Sequence, residues 1–448
     1  MATAVKSDSQ LFDWRAILGE KLVSAEEAVA HIRSGDRITM SIAQSTPFAV
    51  CPALAGRLME LENVVVNHSA ALFSWDLPGL GERFRFESFY ISPVGRDLFV
   101  DGRGEFVPLS YYRTGTLPPG LDNFNVYVMR VSPPDRNGMV NFGDLQIMSK
   151  LLARNANLVI AEIDTGSVRI GGDNSMHVSE IDWFVERTPE TPTIPLTPPP
   201  VSDEEKRIVS AICETVAREL IPDRATIQVG VGSTSGALMP FLHDHHDLGM
   251  QTEIIPWGTT HLVRDGVMTG KYKKLFPGLV VGSGFAVATP PEELAYADGH
   301  PGFQLYDFNF TDDIRLIARE EGLVSVNNAL AIDLTGQVAS ESIGHQMYTG
   351  TGGQTAFGIG STMGGGTSII VLPACAMVKG QPLSRIAPSL APATVLTLPR
   401  TFVHYVVTEF GVAQLKGKSL KQRAQELIAI AHPNFRGDLT AEAKRMYG

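Results

Sequence analysis

Between Thr188 and Val201 the chain reads TPETPTIPLTPPPV, six prolines in fourteen residues. Proline has no N–H and a fixed φ, so such a run suits neither a helix interior nor a central strand and forms an extended connector. It splits a chain of 448 residues into two lengths, each close to the roughly 100–200 residues that one hydrophobic core supports. We therefore expect an N-terminal domain over 1–187, a linker over 188–201 and a C-terminal domain over 202–448.

Both lengths mix helix and strand signals. Three Ser-x-x-Glu/Gln capping boxes stand before apolar-periodic stretches: Ser24 with Glu27, Ser202 with Glu205, and Ser419 with Gln422, the last opening a helix to about Ala431. Runs rich in β-branched residues read as strands: RITMSIA, ENVVVNH, NVYVMRVS and ANLVIAEI in the first half. ATIQVGVG, QTEII, GLVVGSGFA, GLVSVNNALAIDL, TSIIVLPA, ATVLTL and FVHYVVTE follow in the second. Strands alternating with helices predict an α/β fold with a largely parallel sheet in each half. A faint echo links the halves. RITMSIA leads to Gln44-Ser45-Thr46-Pro47 and TIQVGVG to Ser233-Thr234-Ser235-Gly236. Two related domains facing one another would place a site between them, at the carboxyl ends of strands.

Composition bounds the chemistry. With 37 Lys+Arg against 48 Asp+Glu the net charge is −11, so binding of nucleic acid through bulk electrostatics is not expected. An anionic ligand would need local N–H groups and a few basic side chains. The three cysteines, Cys51, Cys213 and Cys375, have neither CxxC nor metal-ligand spacing, which fits a reducing, cytoplasmic setting. The N-terminus lacks a signal-peptide core, and the apolar run from Ile369 to Val378 is interrupted by Pro373, so no membrane association is expected.

Glu253 stands out inside QTEIIPWG. A carboxylate among Ile254, Ile255 and Trp257 is either paired or used. Two readings stand on local sequence alone. One is a strand-closing carboxylate paired with Arg264 or a nearby lysine; the other is a desolvated nucleophile. Glycine-rich turns flank it: Gly230-Val231-Gly232-Ser233 upstream, Gly350-Thr351-Gly352-Gly353-Gln354 and Gly364-Gly365-Gly366 downstream. Dense glycine permits close backbone approach to a bulky ligand, and successive N–H groups can hold an oxyanion. The first turn is not a dinucleotide fingerprint, because its third glycine falls one residue late; no GK[ST] exists for a P-loop, and no GxSxG for a serine hydrolase. The histidines of FLHDHHDLGM, His243, His245 and His246, read as solvated or capping groups rather than metal ligands.

Seven segments in order resemble the acetyl-CoA hydrolase/transferase family, which includes 4-hydroxybutyrate and butyryl-CoA:acetate CoA-transferases. They are VSPPD at 131–135, HVSEID at 177–182, HDLGMQTEI at 246–254 and VNNALAIDLTGQVASESIG at 326–344. GTGGQTAF at 350–357, HYVVTEFGVAQLKGKSLKQRA at 404–424 and AHPNF at 431–435 complete the set. The resemblance implies two related CoA-transferase-type α/β domains with the active site in the interdomain cleft. It implies Glu253 as the nucleophile, with the N–H groups of Gly352 and Gly353 as oxyanion donors worth on the order of 3 kcal/mol each.

It further implies a CoA and substrate surface drawn from Gly230, Gly232, Ser233, Trp257, Asn327, Gly350, Gln354, Phe357, Gly364 and Gly365. The expected substrates are CoA thioesters and carboxylic acids, with no permanently bound cofactor, no metal, and assembly as a homo-oligomer, dimer or tetramer. Acyl-CoA:carboxylate CoA-transfer is the leading expectation. Hydrolysis of the thioester through the same glutamate, and a catalytically idle acyl-CoA-binding protein, are its rivals. The chain departs from the family pattern at Pro256-Trp257-Gly258, at Asp312 where asparagine is common, at Thr367 and at Thr401-Phe402. Trp257 and Phe402 suggest an acid bulkier than acetate.

Overall fold

The computed structural model describes residues 12–109, 121–191, 201–378 and 380–448; most of the proline run, 192–200, lies outside them. Two largely parallel sheets repeat one strand order, the second closed at one edge by the antiparallel strand Gly411–Gln414. The first holds, in chain order, Arg37–Met40, Val64–Asn67, Phe84–Ser88, Gly104–Phe106, Val126–Val131, Leu158–Ile163 and Trp183–Glu186. Across the sheet these lie seventh, sixth, fifth, first, second, third, fourth. The second sheet holds Thr226–Val229, Gly249–Gln251, Val280–Gly282, Phe303–Leu305, Val324–Asn328, Thr367–Val371 and Tyr405–Thr408 in the same spatial order. Every adjacent pair in these two sets is parallel. The echo around one turn is thus a repeat of whole sheets.

Burial explains why these residues make strands. VVVN at 64–67 and TIQV at 226–229 are buried at every position, as strands covered on both faces by helices must be. Helices carry the matching faces. In Asp203–Leu220, opened by the Ser202/Glu205 capping box, Ile212, Cys213, Val216 and Ala217 are buried against Ile227, Val229 and Val407 of the second sheet. The boxes at Ser24 and Ser419 open helices Ala25–Val29 and Leu420–Ala429. The chain then adds a helix not anticipated from AHPNF, Pro433–Tyr447, with Pro433 at its first position.

Two strand expectations are corrected. ATVLTL forms no strand; it makes one bridge, Leu398 with Val338, between Pro392 and Pro399. QTEII is broken: Gly249–Gln251 belongs to the second sheet, Ile254–Ile255 pairs with Gly284–Phe285 outside it, and Glu253 stands at the break.

The halves interlock. Gly171–Gly172, from the first half, forms the edge strand beside Phe303–Leu305 of the second sheet. Gln146 N–H donates to Ser283 O at 2.9 Å, Phe285 N–H to Asp144 O at 2.7 Å, and Phe308 N–H to Ile147 O at 2.8 Å. Gln44 Nε2 reaches Phe285 O at 2.9 Å. These contacts bring loops after the first sheet's strands against loops after the second's. Among the described residues, no helix is long and apolar enough to cross a membrane.

Candidate active site

Strand order locates the cleft. In each sheet the connections run in opposite directions from the first strand, which lies between the second and the fifth, and ligands of such sheets bind at the carboxyl ends beside that point. In the second sheet those ends carry Gly230 after Val229, Glu253 after Gln251, and Asn328.

Glu253 is half-buried, and its main chain is fixed by Ser283 N–H donating to its carbonyl at 2.6 Å. Its Oε2 accepts the N–H of Gly353 at 2.7 Å, the residue that precedes helix Gln354–Met363. A helix N-terminus favours an anion there, but burial outweighs that hydrogen bond and holds the Glu253 carboxyl above the usual carboxylate range. Among the described residues, neither Arg264 nor a lysine pairs with it: Arg264 bonds Asp265 at 3.1 Å. Between the two readings of Glu253, the strand-closing ion pair is therefore not what the geometry provides.

Gly353 leaves room for the two carboxyls beside it. A Cβ on it would collide with Glu253 Oε2 and lie 2.8 Å from Asp312 Oδ2, so both carboxyls border the methyl-sized space that Gly353 leaves empty. Gly350 is held likewise: a Cβ there would strike Phe89 O of the first half. Tyr90, after the first sheet's strand Phe84–Ser88, has its ring 3.8 Å from the Cβ position of Gly352. Burial and the nearby Glu253 carboxylate raise its hydroxyl pKa. Thr351 Oγ1 donates to the buried carboxylate of Glu341 at 2.9 Å, anchoring the turn.

The other expected site residues divide. Gly230, Gly232 and the exposed Ser233 form the loop after strand Thr226–Val229. Asn328 ties that loop down, accepting from Thr234 N–H and Ser235 N–H, each at 3.2 Å. Gln354 Nε2 donates to Asn328 O at 3.0 Å, joining this loop to the 350–353 turn. Asn327 is buried beneath Gly230, its Oδ1 2.7 Å from the Cβ position there, and its amide pairs reciprocally with that of Gln228, at 2.9 and 3.1 Å. Phe357 is fully buried with Ile317 and Leu323. Gly364 and Gly365 follow the far end of helix Gln354–Met363, roughly 15 Å of helix away from Gly353, with Gly364 against Ala318. Trp257 is 37% exposed and donates Nε1–H to Val287 O at 3.1 Å, while Phe402 packs on the core of Leu398, Val403 and Ala424.

His245 Nε2 lies 3.1 Å from Ala217 O and 3.0 Å from Ile221 O, finishing helix Asp203–Leu220. His246 N–H donates to Asp223 at 2.8 Å. Among the described residues, no group of three or more His, Cys, Asp and Glu side chains is placed to hold a metal ion. Tyr90, Asn328 and the partner role of Asp312 were not read from sequence. Asp312 alone had left a signal, as an acid where a neutral amide was expected.

Known proteins match this architecture from end to end. The acetyl-CoA hydrolase/transferase N-terminal domain model matches residues 7–196, and the C-terminal domain model residues 292–443. The 4-hydroxybutyrate coenzyme A transferase of Clostridium kluyveri is 36% identical over 97% of this chain and 100% of its own length. The succinyl-CoA:cyclohexane-1-carboxylate CoA transferase of Geobacter metallireducens is 32% identical over 95% and 96%. The crystal structure of RipA from Yersinia pestis superposes with a TM-score of 0.84 at 31% identity, covering 97% of this chain and 100% of that one. Two related α/β domains, and relatives of this extent, show that the chain is an enzyme of the CoA-transferase type and belongs to the acetyl-CoA hydrolase/transferase family.

Proposed function

We propose that the protein moves coenzyme A from an acyl-CoA to a second carboxylic acid by a ping-pong cycle on Glu253. The observation that carries this is a carboxylate with no basic partner among the described residues, held by the Gly353 N–H at 2.7 Å, at the carboxyl end of a sheet and faced by Tyr90 of the first domain. The Glu253 carboxylate attacks the thioester carbonyl carbon, the C–S bond breaks, and CoA leaves as thiolate from a mixed acyl-glutamyl anhydride. The thiolate attacks the glutamyl carbonyl and expels the first acid as carboxylate, leaving a glutamyl-CoA thioester. A second carboxylate attacks that carbonyl and displaces the thiolate, which then attacks the new acyl carbon and frees Glu253. Each exchange trades bonds of similar energy, so the cycle calls for no external energy source or metal.

The Gly353 N–H faces the oxygen on which charge develops, the arrangement by which fixed dipoles stabilise a tetrahedral intermediate. The loop 230–236, braced by Asn328, and the 350–354 turn are the surfaces we assign to coenzyme A. Water is the competitor for the glutamyl thioester, and the contact of Phe89 and Tyr90 with the 350–352 turn supports its exclusion. The test follows release of free CoA from acetyl-CoA, with and without a panel of acids. Transfer predicts new acyl-CoA formed with the acid and little free thiol without it; equal thiol release in both tubes would replace transferase by hydrolase.

A further inference from the structure

One buried acid at this site has no task in that cycle. Asp312 follows the short helix Phe308–Thr311 and has no exposed surface. Its Oδ1 accepts from Thr311 Oγ1 at 2.9 Å. Its Oδ2 is buried without a partner, and borders the same methyl-sized space at Gly353 as Glu253 Oε2. Among the described residues, the charged and titratable groups around the pair are acids and a phenol. Asp307 acts on Asp312 from the start of that helix, and Tyr90 is within the field of Glu253 from the other domain. On the next helix, Arg315 is turned to Asp313 at 3.1 Å in solvent. No basic side chain among the described residues contributes to either carboxyl.

We infer that Glu253 and Asp312 share one proton, held on Asp312, and that the neutral Asp312 carboxyl is a second hydrogen-bond donor to the reacting Glu253 oxygen beside the Gly353 N–H. This rests on Glu253 being the nucleophile. Two carboxylates on one dry space do not both ionise, since each disfavours the charge of the other. Burial, then the Glu253 charge, pushes Asp312 well above the usual carboxylate range, and Asp312 is the more deeply enclosed of the two. With the proton on Asp312, Glu253 is free to attack as an anion. When negative charge gathers on Oε2 as the glutamyl carbonyl is attacked, it meets two donors. Asp312 forms and breaks no covalent bond and keeps its proton through the cycle. Loss of that proton removes one donor and sets a second negative charge beside the reacting oxygen, so turnover falls on the alkaline side.

The test is the pH profile of kcat with acetyl-CoA and butyrate, for wild type, Asp312→Asn and Asp312→Leu, with folding checked by circular dichroism. The amide of Asp312→Asn donates without a proton to lose. It should lower kcat at neutral pH by about three- to tenfold while removing the alkaline limb or moving it upward. Asp312→Leu, with no donor, should lose about 100-fold or more. Coincident alkaline limbs in wild type and Asp312→Asn, or full turnover by Asp312→Leu, would overturn the inference. In parallel, wild type is treated with acetyl-CoA alone and its Glu253 peptide examined for a CoA adduct. An unlabelled peptide removes the nucleophile itself, whereas a labelled peptide with coincident limbs removes only the role of Asp312.

Discussion

Adding one methyl group at position 353 probes the site more sharply than removing a side chain. The backbone of Gly353 lies at φ −83° and ψ −5°, in the bridge region, which alanine can occupy without a positive φ. The new Cβ, however, would lie 2.8 Å from Asp312 Oδ2 and inside contact with Glu253 Oε2. Relief requires the Glu253 carboxylate to move by on the order of 1 Å, a misplacement that costs about 100-fold in rate. The same movement stretches the 2.7 Å hydrogen bond from Gly353 N–H. Losing one such donor costs about 3–4 kcal/mol, or 100- to 1,000-fold. Because the two effects are one displacement, we expect a fall in kcat of about 100- to 1,000-fold and not their product. Gly352→Ala is the crossed control. Its Cβ would sit 3.8 Å from Tyr90 and 3.9 Å from Glu253 Oε2, ordinary contacts, but its φ of +55° costs an alanine about 1–2 kcal/mol. Gly352→Ala should therefore lower the melting temperature by a few degrees and reduce kcat by less than about tenfold, while Gly353→Ala should have the larger effect on kcat and the smaller on melting temperature. Steady-state CoA transfer and calorimetry on both variants decide it. A Gly353→Ala enzyme within threefold of wild type would refute the placement of Glu253 against that turn.

Other consequences are quicker to check. Asn328→Ala removes the acceptor of Thr234 N–H and Ser235 N–H and the donor to Ser235 Oγ at 2.5 Å. At about 1 kcal/mol net each, this should free the 230–236 loop and raise KM for acyl-CoA roughly tenfold or more, with a smaller effect on kcat; an unchanged KM contradicts the assignment of that loop to coenzyme A. Ser202→Ala breaks a reciprocal capping box and should cost about 1 kcal/mol in thermal unfolding, with kcat unaltered. Because the folded Asp312 carboxyl titrates well above its ordinary value, the unfolded chain binds fewer protons once pH exceeds about 4, and stability falls with pH through the raised value. The melting temperature of Asp312→Asn should gain on wild type as pH rises across that window; a constant difference would contradict a buried, titrating Asp312.

What the sequence discloses is what depends on neighbours in the chain. The Ser24, Ser202 and Ser419 boxes need only the residue three places on, and all three form. Buried strands such as VVVN and TIQV announce themselves by β-branched runs. Glu253 and the 350–353 glycines were conspicuous for the same reason, a charge or a flexible turn in an unsuitable local setting. Contacts between distant segments leave no such trace. Tyr90 reaches the site because Phe84–Ser88 ends where the second sheet's cleft opens, and that short strand went unread. Asn328 and Asn327 are adjacent in an alternating strand, so one braces the 230–236 loop while the other turns inward to Gln228. Phe357, Gly364 and Gly365 look in sequence like part of one glycine-rich loop; the helix Gln354–Met363 buries Phe357 in packing and leaves Gly364 and Gly365 beyond its far end, Gly365 exposed. The helix Pro433–Tyr447 is not anticipated from the sequence, although proline at its first position is a favourable start that could have pointed to it.

The covalent intermediate is the most direct point of attack. The enzyme is incubated with acetyl-CoA and no acceptor acid, reduced with borohydride, digested, and the peptide spanning Glu253 weighed, with Glu253→Ala treated alongside. A glutamyl-CoA thioester at Glu253 predicts that this side chain alone is reduced to the alcohol, only when acyl-CoA was present. An unmodified Glu253 peptide from enzyme that is actively exchanging CoA would contradict the account.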